Sequence, residues 1–392
     1  MRFFLVVLLA LSASGCAALD SLSGIADYFT GGEDNTDPPA ELVEYKPEIA
    51  VELLWKESVG VGADEKYLKL VPAISQGRIV AADSDGVVEA RDLKTGELVW
   101  EVDTEEHFAG GPGAGPDRIV LGTSDAAVVT LDSANGEMLW RVTVSSEALS
   151  IPVVSQGTVV VRTTDGRVVA LNEADGRSLW TYELNMPALS IRGTGTPLVV
   201  KDTVICGFAN GKLIALRLSD GKNIWETSIA IPGGRSEIER LVDLDVDPVT
   251  NDGIIYVASY QGGTSAVLEQ DGEVIWRNPD VSSYTGISYD WRYLYVSDVN
   301  SDVWQLDQRN GASLWKQSDL HQRKLTAPVI YDNFVVVGDF EGYLHWLSKS
   351  DGRQLARLRV TDAAIEMQPM VVDDVLYVYA KDGTLAAIKA NF

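Results

Sequence analysis

Catalysis needs reactive groups in convergent patterns, and this chain has few of them. Its only histidines are His107, His321 and His345, each in a different part of the sequence, and its only cysteines are Cys16 and Cys206. Two cysteines exclude a disulfide scaffold and any all-cysteine metal or cluster site. No Ser/His/Asp arrangement and no metal-ligand spacing can be read, so neither a catalytic group nor a metal is expected. Carboxylates abound, but mostly in recurring Asp-Gly turns, where Asp serves the backbone. Two stretches differ. "LNMPALSIRGTGTP" (184–197) carries Leu189, Ile191 and Arg192, and "IPGGRSEIERLVDLDVDP" (231–248) carries Arg240, Asp243 and Asp245. Apolar anchors with arginine beside a carboxylate cluster suit protein–protein binding better than bond making. Two structural readings compete. The letters ALSI also occur at 148–151, so Leu189 and Ile191 are equally candidates for core positions, and Arg240 is a candidate internal partner of Asp243 or Asp245.

The elements that position these residues are read from a repeat. "DGVVEARDLKTGELVW" (85–100), "DGRVVALNEADGRSLW" (165–180) and "NGKLIALRLSDGKNIW" (210–225) are its clearest copies. Tryptophan closes copies at 100, 140, 180, 225, 276 and 315, and Ala356 holds the same slot. A period near 40 marks an array of similar units. Each unit reads as four strands, with Asp-Gly or Asn-Gly in the tight turns that need positive φ. Four-stranded meanders at this period make propeller blades. After Ala356 three further strands follow, and the missing fourth is supplied by "AVELLWKES" (50–58), with Trp55 in the tryptophan slot. The expectation is an all-β, eight-bladed propeller of four-stranded antiparallel blades, closed where the N-terminal strand completes the last blade, which hides otherwise unpaired edges. The tryptophans are expected as packing wedges between blades. Trp180 to Pro197 and Trp225 to Pro248 span 17 and 23 residues, against 12 or 13 at the other proline-marked connections. These two long connections are consecutive and should lie side by side on one face. Blade edges offer a second binding mode, by strand addition.

Formal net charge is −25, so general nucleic-acid binding is not expected. Residues 1–15 read as a signal peptide: Arg2 precedes the apolar run "FFLVVLLALSA", too short to span a membrane. The run ends in "ASGC", which resembles a lipoprotein lipobox, making Cys16 the lipidated first residue of the mature chain. Ala17, not Asp, follows it, which in the sorting scheme that the lipobox implies points to the outer membrane, facing the periplasm. Residues 16–47 are acidic and rich in Gly and Pro and read as a flexible tether, with the propeller spanning 48–392.

Two family resemblances follow from these motifs. The "AL…DGxxLW" phrase resembles the tryptophan repeat of pyrroloquinoline-quinone (PQQ) dehydrogenases, which implies the eight-bladed fold and, as an alternative function, a quinone- and calcium-dependent dehydrogenase. Lipobox, acidic tether, repeats and near-motifs such as "MPALSIRG" (186–193), "SEIERLVDLD" (236–245) and "EGYLHW" (341–346) together resemble the BamB family over essentially the whole chain. That resemblance implies a non-enzymatic lipoprotein scaffold of the outer-membrane β-barrel assembly complex, without a cofactor. Its implied partners are the periplasmic POTRA domains of BamA, the other subunits and nascent outer-membrane proteins. It also implies BamA binding at Leu189, Ile191, Arg192, Asp243 and Asp245.

Overall fold

The structure is a computed structural model that describes residues 37–64, 66–187, 195–231 and 242–391. Cys16 and the expected signal peptide lie outside the described residues. From Ala40 onward the chain forms one compact unit. Among the described residues it contains eight sheets, and in seven of them the four blade strands run from inner to outer in sequence order.

Blade three shows the construction. Its strands are Val153–Ser155, Thr158–Arg162, Arg167–Asn172 and Ser178–Glu183. Val153 faces Val160, Val160 faces Ala170, and Ala170 faces Trp180 across the antiparallel ladder. Blade one repeats this register as Ala73, Val80, Ala90 and Trp100. The two middle strands of each blade are buried on both faces, so their runs are continuously apolar rather than alternating. Outer strands face solvent on one side and do alternate. Apolar clusters bridge neighbouring blades: Ile205, Leu213 and Trp225 of blade four pack with Ile255, Val257 and Val267 of blade five.

The ring closes as expected. Ala50–Ser58 pairs antiparallel with Thr384–Asn391 and completes blade eight, with Ala50 opposite Asn391 and Ser58 opposite Thr384. The tryptophans lock the junctions by one repeated contact. Trp140 Nε1 of blade two donates to Glu173 O of blade three at 2.9 Å, and Trp180 Nε1 of blade three donates to Leu218 O of blade four at 2.7 Å. The same bond joins Trp100 to Ser133, Trp225 to Glu269, Trp276 to Gln308 and Trp315 to Lys349. Each indole lies on a turn glycine of the next blade. At Gly176, with φ +71°, an added Cβ would come within 2.8 Å of the Trp140 ring. Glycine is required there twice over, by the positive φ and by the ring above it. Trp55 covers Gly96 in the same way, although Tyr377 Oη takes the carbonyl of Leu93.

The junction from blade seven to blade eight explains Ala356. Blade eight takes its outer strand from the N-terminus, so it has no turn between its third and fourth strands. A tryptophan at 356 would have neither a glycine to cover nor a turn carbonyl to bond.

Three features depart from the regular reading. Blade two has a fifth strand, Lys69–Leu70, running parallel to the inner strand Phe108–Ala114. That inner strand contains Pro112 in its middle, whereas the prolines at 152, 197, 248, 328 and 369 stand just ahead of their inner strands. Pro112 has no N–H to donate, and the ladder shifts register between Gly110 and Gly113. Contacts with blade seven also begin before residue 48. Ala40 N donates to His321 O, Glu48 N donates to Leu355 O, and Arg353 forms an ion pair with Glu48 at 2.9 Å. Ala40 thus sits on the connection that leads into blade seven, and the chain at 43–48 follows the outer strand Gln354–Arg359 and partly covers that edge.

Candidate functional site

The two long connections leave the outer strands Ser178–Glu183 and Asn223–Ser228 and enter the inner strands Leu198–Val200 and Val249–Asn251. Leu189, Ile191, Arg192 and Arg240 lie outside the described residues. The ends of both connections are described, and they meet.

The stretch 242–247 alternates Val, Asp, Leu, Asp, Val, Asp. An extended chain points alternate side chains to opposite sides. Val242, Leu244 and Val246 are buried, with Leu244 among the apolar residues of blades four and five. Backbone bonds hold this stretch on both blades: Leu244 N donates to Phe208 O and Tyr260 N donates to Asp243 O. Asp243, Asp245 and Asp247 line a cavity of about 430 Å³, together with Val246, Tyr67, Lys69 and Tyr284 among others.

The carboxylates are not a free acidic surface. Asp243 is 3% exposed. Asp245 Oδ1 lies 3.7 Å from Arg162 Nη2. Burial holds the Asp245 carboxyl above its ordinary pKa, opposed by the charges of Arg162 and Lys69. Asp247 accepts the backbone N–H of Thr196 from the other connection and forms an ion pair with Lys69. Arg162, the last residue of its strand, also donates from Nη1 to Gly195 O at 3.0 Å, and its guanidinium stacks over the Phe208 ring at 4.8 Å. The structure thus brings Asp243 and Asp245 together, and it gives Asp245 a cation from blade three. Cys206 lies beside this cluster, and burial pushes its thiol up to about 12, which makes it inert at neutral pH.

Arg162 was not legible as a site residue, because "TVVVRTT" (158–164) reads simply as a strand. A signal was present in the repeat. The slot matching Arg162 holds Ala82, Gly122, Gly207, Ala258, Ser297 and Gly338 in six blades and Tyr379 in the remaining one. Small residues are needed there because the next connection crosses directly above. A Cβ on Gly122 would meet Ala148 O at 2.3 Å, and one on Gly207 would meet Leu244 O at 2.2 Å. A full arginine fits in blade three where the crossing connection carries the extra residues "RGTGT" (192–196).

Comparison with known proteins gives the same answer over most of the chain. The family model described as "Outer membrane protein assembly factor BamB" matches residues 84–317 and 301–391. The Outer membrane protein assembly factor BamB of Alkalilimnicola ehrlichii is 50% identical over 341 residues, 87% of this chain and 89% of that protein. The crystal structure of BamB from Moraxella catarrhalis superposes with a TM-score of 0.79 at 26% identity, covering 87% of this chain and all of that one. A europium-containing methanol dehydrogenase matches with a TM-score of 0.70 at 12% identity, covering 86% of this chain and 93% of that one, a likeness of fold alone. By sequence, repeat and architecture together, the chain belongs to the BamB family of outer membrane protein assembly factors.

Proposed function

We propose that this protein is a non-enzymatic scaffold of the outer-membrane β-barrel assembly complex, associated with the outer membrane and facing the periplasm. Its family membership over most of the chain carries that reading. The quinone-dehydrogenase alternative has only the shared fold in its favour. The scaffold is anchored through lipidated Cys16 and docks on the POTRA domains of BamA by its two long connections, with nascent outer-membrane proteins as the clients of the complex. Leu189 and Ile191 supply apolar anchors and Arg192 the charged contact. Supporting this is the convergence of the two connections at Thr196 and Asp247 on one side of the ring.

The test is co-purification of BamA with the full-length lipoprotein. Arg192→Glu should lower BamA recovery while the propeller stays folded, and unchanged recovery would remove the docking assignment. A visible spectrum and metal analysis of the purified protein test the enzyme alternative, which requires bound quinone and calcium.

A further inference from the structure

Arg162 is 1% exposed. A buried cation is costly unless it is paired, and removing its partner leaves an uncompensated charge. Its partners are the described ends of the two connections: the carbonyl of Gly195 on one and the carboxylate of Asp245 on the other. The ends also touch directly. A Cβ on Gly195 would fall 2.9 Å from Asp245 O, and Asp247 accepts the Thr196 N–H. Phe208 of blade four closes the guanidinium from its face. Blades three, four and five thus converge on one side chain.

We propose that Arg162 is a positioning residue for partner docking: it clamps the two connections together through Gly195 and Asp245, and Asp245 acts on the partner through Arg162 rather than by touching it. This rests on the reading of the two connections as the docking segments. In sequence Arg192 stands three residues before Gly195, and Arg240 five before Asp245. Releasing the clamp frees the described ends of the two connections that carry these arginines in sequence. The raised pKa of Asp245 agrees with a carboxylate withdrawn from water.

The experiment uses the full-length lipoprotein and two measurements. In cells, BamA recovery is compared for Arg162→Met, Asp245→Asn, their double variant, Arg162→Lys and Arg192→Glu. Arg162→Met and Asp245→Asn should each lower recovery at least five-fold, the double variant should be no worse than the worse single, and Arg162→Lys should fall between wild type and Arg162→Met. On the purified protein, hydrogen exchange at Thr196 and at 242–246 should quicken at least ten-fold in Arg162→Met, with blades one, seven and eight unchanged. Loss of BamA by Asp245→Asn but not by Arg162→Met overturns the proposal, because Asp245 then contacts the partner itself. Losses that multiply in the double variant, or unchanged exchange in Arg162→Met, overturn it as well. Should Arg162→Met fail to fold, Arg162→Lys carries both measurements. If Arg192→Glu keeps BamA, the docking reading falls and takes the partner role of Arg162 with it, while exchange separately decides whether the clamp exists.

Discussion

The blade junctions and the corner where blades three, four and five meet solve the same problem differently. At a junction, an indole lies on a glycine of the next blade, and in six cases its N–H is bonded to a turn carbonyl there. At the corner, an arginine occupies a slot that is small in six other blades, and charged groups hold two long connections. The first solution repeats and stabilises every copy of the ring. The second occurs once and orders the segments assigned to partner docking. In a repeat protein the constant slots report the scaffold, and a departure from them is where a local task is to be sought.

The comparison can be broken most sharply at the junctions. Trp100→Ala should cost about 3–5 kcal/mol in equilibrium urea unfolding, the range for deleting a large buried aromatic, and should leave BamA recovery unchanged where the protein remains folded. A specific loss of BamA would mean that junction and corner are coupled. Ala356→Trp is the converse test. With no turn glycine or carbonyl waiting in blade eight, it should destabilise by about 1–3 kcal/mol through overpacking; a stabilising result would refute the account of why alanine stands there. Gly176→Ala puts a Cβ under the Trp140 ring at positive φ and should cost about 1–2 kcal/mol, read as a lowered melting temperature.

The smallest effect concerns pH and has opposite signs in the two regions. Asp307, in a repeated turn, is hydrogen-bonded by Arg309 and lowered from 3.8 to about 2. Folding weakens its proton binding, so the stability it adds is present above pH 3.8 and lost as pH falls toward 2. Asp245 at the corner is raised. Folding strengthens its proton binding, so its contribution declines as pH rises through the interval above its ordinary 3.8. Asp307→Asn should flatten the acid limb of a stability–pH curve by under about 1 kcal/mol, because Arg309 is 72% exposed and water screens the pair. Asp245→Asn should remove a slope of the other sign. Equal signs would place both carboxylates in the same kind of environment.

Much of the fold was legible because its determinants recur. The tryptophan slots, the turn glycines, the eight-blade count and the closing strand follow from repeated spacing, and Ala356 was already visible as the exception. The corner was legible only in part. Connection lengths marked where two neighbours meet, whereas the alternation of 242–247 acquires its meaning only from the two blades that hold it. Arg162 escaped because a single arginine at the end of a valine-rich strand looks like a solvated strand end. Lys69–Leu70 is too short to show a period. The chain at 40–47 looked like tether because its stretch is acidic and rich in Gly and Pro, yet Glu44 pairs with Arg357.

Closing the ring with the first strand sets an order of events. Ala50–Ser58 is synthesised before every other described strand, and its partner Thr384–Asn391 after every other one. Until then the N-terminal strand has an unpaired edge and blade eight does not exist. A propeller without Thr384–Asn391 is left as an open arc with two exposed strand edges, prone to pair with other chains. Completion of the ring thus requires strands from both ends of the propeller to be in place.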